Sequence, residues 1–79
     1  MTTFLNTQIE RETEKAVLAK IRVNATESFT MWFPKSQIVI NETSITAEAW
    51  LVKKAAEEVA KQKRVNKLIA MSMVNSIIN

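Results

Sequence analysis

Between Ala16 and Val23 the apolar side chains fall on the odd positions, Val17, Ala19, Ile21 and Val23, while Lys20 and Arg22 close the even side. A period of two sets these groups on opposite faces of a strand, one buried and one wet. Phe29, Met31 and Phe33 repeat the alternation after Asn24–Glu27. Asn24 leads that turn, as the residue best able to take a left-handed conformation in a chain without glycine. The two segments predict a hairpin. Pro34 has no N–H for a ladder, so the second strand should end there, with Lys35–Gln37 as a bend before Ile38–Ile40 resumes extended structure. Asn41–Ser44 predicts the next turn, and Ile45 leads to Thr46, a candidate helix N-cap with Glu48 in the first turn. Ahead of all this, Ile9–Lys15 interleaves charges and suits the polar start of a strand better than an exposed helical turn. Residues 1–8 are expected to be a flexible tail.

From 47 to 78 the pattern changes to helical, and azimuths of about 100° per residue sort its apolar positions. Val52, Ala55, Ala56, Val59 and Ala60 share one side, and Ala70, Met73, Val74 and Ile77 return to it. Between them Lys63, Asn66 and Lys67 occupy the same azimuth, with Val65, Leu68 and Ile69 opposite. Either the helix breaks near Gln62–Asn66, or one long helix shows different faces to different neighbours. Unbroken, it would run about 48 Å, beyond the roughly 30 Å of a compact chain of this size. Leu68, Ile69, Met73, Val74 and Ile77 would then be a surface for a second copy or another protein. A helical hairpin would instead fold them back over the sheet. The apolar character of the terminal run favours self-association.

The expected architecture is α+β in one domain, residues 1–79: a small antiparallel sheet of three to four strands within 14–46, followed by a long or broken C-terminal helix. Val17, Ile21, Phe29, Met31, Phe33, Ile38, Ile40, Trp50 and Leu51 form the expected core.

Composition narrows the chemistry. Seventy-nine residues allow one thin core, marginal unless well packed or oligomeric. With no Cys there is no disulfide or thiolate metal site, and with no His, Asp or Tyr most acid–base, nucleophilic and ligating side chains are missing as well. The absence of Gly removes the glycine-rich phosphate loops. We therefore expect no catalysis, no catalytic residue, no cofactor and no metal. No apolar run approaches membrane-spanning length and no secretion signal opens the chain, so no membrane contact and a cytoplasmic location are expected.

Charge is uneven. Through Thr46 five basic residues balance five acidic ones, and from Ala47 onward six basic face three acidic, which gives the whole net charge of +3. Lys53–Glu57, Lys54–Glu58 and Glu57–Lys61 pair at i,i+4 as a solvated helix face would. Lys61, Lys63, Arg64 and Lys67 are left over, a candidate contact for an acidic protein partner or for nucleic-acid phosphates. Trp32, with Phe29, Phe33 and Lys35 nearby, is a candidate for stacking on bases. Phe29 and Phe33 belong on the core face, which leaves Trp32 for the other. Trp50 is expected to pack on the sheet.

Glu12–Leu18, with its T-E-K-A-V-L run, Trp32–Ile38, reading W-F-P-K-S-Q-I, and Trp50–Leu51 together resemble a small domain of phages and mobile elements. In that domain a T-E-K-A-V-L strand is followed by W-I-P-K-S-Q and a helix that begins near a W-L pair. The resemblance covers about Glu12 to Lys54, and its most specific part is the segment Trp32–Gln37. It implies a sheet-plus-helix fold and a phage context, with the host cell cytoplasm as location, and carries no activity with it. Three functions fit the residues: a phage-type protein-binding module, such as an inhibitor or modulator of a host or defence complex that works by masking a surface; a nucleic-acid-binding accessory protein; and a structural homo-oligomer.

Overall fold

The computed structural model describes residues 1–79, and places six strands and two helices along them. In chain order these are β1 (Thr2–Phe4), β2 (Thr7–Glu12), β3 (Ala16–Arg22), β4 (Ser28–Pro34), β5 (Ile38–Ile40), β6 (Ile45–Ala47), α1 (Trp50–Lys63) and α2 (Lys67–Asn75), with a 3-10 turn at Lys35–Gln37. The class is α+β, sheet followed by broken helix, with the strands divided into two antiparallel three-stranded sheets. The large sheet is the meander β2-β3-β4, and the small sheet has the order β1-β6-β5.

Alternation decides the large sheet. Val17, Ala19 and Ile21 of β3 lie opposite Phe33, Met31 and Phe29 of β4, and all six are buried. Pro34 ends β4, as its missing N–H requires. Asn24 makes the β3–β4 turn by a different route from the left-handed one expected. Its Oδ1 accepts the amides of Thr26 and Glu27, each at 2.9 Å, and so closes an Asx turn at negative φ. The left-handed residues are Asn6 and Arg64 instead, each with φ 55°.

The N-terminal tail expected at residues 1–8 is structure. β1 pairs with β6, and on its other side the C-terminus closes the edge: Thr3 and Asn79 exchange backbone hydrogen bonds of 3.2 and 2.9 Å, and Leu5 N–H donates to Ile77 O at 2.7 Å. The reason is Phe4, fully buried and set edge-to-face on Phe33 with centroids 5.4 Å apart, which joins the two sheets. Thr46 is likewise no helix cap. It lies within β6, its hydroxyl 3.1 Å from that of Thr3, and α1 starts at Trp50 behind Ala49, without a side-chain cap.

The C-terminal segment turns back on itself. Arg64, in the left-handed conformation, ends α1 with its N–H on Ala60 O, and Asn66 caps α2 by accepting Ile69 N–H at 2.9 Å. Fourteen residues make α1 about 21 Å long, which fits within extents of 32 × 24 × 21 Å. Ala70, Val74 and Ile77 are buried in the same core as Ala55, Ala56 and Val59. The expectation that Val74 and Ile77 form an oligomer surface is thus overturned, because the chain's own sheets and α1 shelter them. Met73 packs partly buried against that core. Of the expected core, Val17, Ile21, Phe29, Met31, Phe33 and Leu51 are buried and Ile38 borders it, whereas Ile40 and Trp50 face solvent, Trp50 with 53% of its surface. Ile40 sits on β5, the open edge of the small sheet, and Trp50 on the outward side of the first turn of α1.

Candidate nucleic-acid interface

The large sheet buries one face and leaves the other to solvent. Directly opposite residues of an antiparallel pair share a face, so strand register assembles the outer surface row by row. Arg11, Leu18 and Trp32 form one row, and Gln8, Lys20 and Thr30 the next. Arg22 and Ser28 form a third, beyond which Arg22 N–H bonds to Asn6 O at 3.0 Å. A bulge between Ile9 and Arg11 brings Arg11 into line, since without the extra residue it would sit one place out of register. The result is a face with three cations, a half-buried leucine and an indole that keeps 43% of its surface exposed.

None of the three cations is paired. The chain has two ion pairs, Lys35 with Glu12 and Lys63 with Glu27, so the carboxylates at two ends of this sheet are engaged with partners off the outer face. Glu10, the extra residue of the bulge, is the carboxylate of β2 left free. Beside the indole, Lys54, Glu58 and Gln62 follow one another at helical spacing along α1 and form the wall of a depression floored by Leu18, Thr30 and Trp32. Gln62 is fixed there by Thr30, accepting its N–H at 3.3 Å and donating to its carbonyl at 2.6 Å. That reciprocal bond occupies the edge of β4 as another strand would, and holds the helix beside the platform.

The four cations expected to bind partners sit elsewhere, at the elbow between the helices. Lys63 Nζ is 2.8 Å from Glu27 Oε2 and is half-buried. Lys61 and Lys63 lie in the last turn of α1, where positive charge complements the helix dipole, so both have a structural reason to be there. Arg64 is exposed in the connection, and Lys67 begins α2, the end at which the dipole does not favour a cation. Next to it Leu68 is 83% exposed and Ile69 48%. The elbow is therefore an apolar tip with basic neighbours, separate from the row that holds Trp32.

Trp32 was singled out from sequence, but Arg11, Lys20 and Arg22 were not, although Lys20 and Arg22 stood plainly on the wet side of the alternation. No three carboxylates gather into a group that could hold a metal ion, and no helix is long and apolar enough to cross a membrane. No family model matches the chain, and neither a curated protein nor a solved structure does.

Proposed function

We propose that the outer face of the large sheet binds single-stranded nucleic acid without catalysis, with bases stacked on Trp32 and Leu18 and phosphates held by Arg11, Lys20 and Arg22. The observation that carries this reading is the register itself: an exposed indole in one row with Arg11, one row from Lys20, and no carboxylate opposite any of the three cations. Stacking is tolerant of sequence because every base has a π-face, and phosphate contacts carry no sequence information, so binding is expected to be general. An exposed sheet face with an accessible ring suits unstacked bases, whereas a duplex hides its base faces.

Titration of indole fluorescence with an oligothymidine, on a Trp50→Phe background, tests it. Three phosphate contacts on a single strand predict a slope of log K against log salt near −2, from about −0.7 for each contact. Absence of quenching at low salt sinks the reading.

A second reading is a protein-binding module, in keeping with the phage context that the resemblance implies. It rests on Leu68, whose exposure beside Arg64 and Lys67 has no structural benefit to the monomer. The same tip would serve a homo-oligomer. Sedimentation at high concentration separates those two uses, since a monomer throughout removes the oligomer.

A further inference from the structure

At the β2 end of the same face the chain forms an open pocket of about 240 Å³ lined by Asn6, Thr7, Gln8, Lys20, Arg22 and Thr43. All six are polar and two are cations, and there is no carboxylate among them. None of their side chains makes a hydrogen bond or ion pair within the protein, whereas Asn24 and Asn41 are bonded within their own turns. Backbone geometry fixes the walls. Asn6 holds the left-handed connection from β1 to β2, its carbonyl tied to Arg22, and Thr7 N–H bonds to Thr43 O at 2.9 Å, which pins the β5–β6 turn against β2. Two amide side chains, the Thr43 hydroxyl, an ammonium and a guanidinium thus line the opening with their donors unspent, while Thr7, opposite the buried Ile21, belongs to the core face.

We infer that this pocket holds the terminal phosphate of a bound single strand. The inference rests on the reading of the sheet as a nucleic-acid platform and adds to it an end-specific subsite. A terminal phosphate monoester carries nearly two negative charges and three acceptor oxygens, which matches two cations and a ring of neutral donors. An internal diester carries a single charge and is bridged on both sides. The pocket is walled by the Asn6 connection and the Thr43 turn, and Lys20 belongs both to it and to the row beside Leu18 and Trp32. One row, that of Lys20, lies between Arg22 and Trp32, which puts them about 13 Å apart along the strands, room for a short run of nucleotides between the held end and the stacked base. Arginine supplies the forked donors that phosphate oxygens accept in pairs.

The test compares three short oligothymidines, with a 5′-phosphate, a 3′-phosphate or neither, by quenching of Trp32 on the Trp50→Phe background. One of the phosphorylated strands is expected to bind at least about tenfold tighter than the unphosphorylated one, as charge-assisted hydrogen bonds would produce. Arg22→Gln and Gln8→Ala should each reduce that preference while the unphosphorylated strand loses less. Inorganic phosphate, titrated alone, is expected to shift the backbone amide resonances of Asn6, Thr7 and Arg22. Equal affinity for all three strands would overturn the pocket and leave the platform standing. Shifts with inorganic phosphate but binding of no strand would mean an adventitious ion only and overturn both. A phosphate preference that survives Arg22→Gln and Gln8→Ala, in variants whose amide spectra show the native fold, would also overturn it.

Discussion

Two basic regions of this chain differ in what their charges are for. At the helical elbow four cations fall within seven positions, yet Lys61 and Lys63 lie where a helix terminus favours positive charge, and Lys63 is also paired with Glu27. On the outer face of the large sheet three cations come from positions 11, 20 and 22, spread over two strands, and no ion pair or dipole uses them. Density along the sequence therefore marks a region half of whose charges the fold explains. Density in space, which only strand register reveals, marks the region whose charges it does not explain.

The largest effect that bears on this comparison is on the scaffold beneath both regions. Phe4→Ala removes the ring that joins the two sheets, and should cost about 3–5 kcal/mol as a large-to-small change in a packed core. Urea unfolding measures it, and a cost below about 1 kcal/mol would mean that the N-terminal strand is dispensable. Trp32→Ala comes next, with an expected loss of about 1–3 kcal/mol in single-strand binding and little change in stability. The combined neutralisation of Lys61, Arg64 and Lys67 to Gln should cost less binding than Trp32→Ala does, and a larger loss would reverse the comparison. Gln62→Ala, which frees the β4 edge and the wall beside Trp32, should lower stability by about 1 kcal/mol. Smallest of all, Leu68→Ser should leave stability within about 0.5 kcal/mol, since the residue is almost wholly in solvent.

The β3–β4 hairpin was legible because its order is local, whereas β2 falls outside the 14–46 expected for the sheet. Val17 to Phe33 alternate with a period of two, Pro34 can end a strand but not continue one, and Trp32 could be set on the outer face by parity alone. The small sheet was hidden because its partners are distant in sequence. Thr2–Phe4 finds Ile45–Ala47 on one side and the last three residues on the other, and nothing within a three-residue strand announces either. Phe4 was the one local sign, an aromatic residue beside Leu5 in the opening Met1–Thr7. The helical break was half visible. The polar gap at Lys63–Lys67 marked where it had to come, but the left-handed Arg64 that makes it is chosen by what Val74 and Ile77 gain on folding back, a tertiary effect. Trp50 lies outside the core for the related reason that Thr46 belongs to β6 and not to the helix. With the helix beginning at Trp50, four residues beyond the expected cap, the apolar stripe starts at Leu51 and the indole is turned outward. The candidate face was legible only in part, since parity puts Lys20, Arg22 and Trp32 outside but Arg11 joins them through a bulge that no pattern predicts.

Backbone amide mapping during titration with a short oligothymidine tests the central claim most directly. The account predicts shifts at Arg11, Leu18 and Lys20 and at the Trp32 indole N–H, with Lys61 to Leu68 unmoved. Shifts confined to the elbow between α1 and α2, or no shifts at low salt, would contradict it.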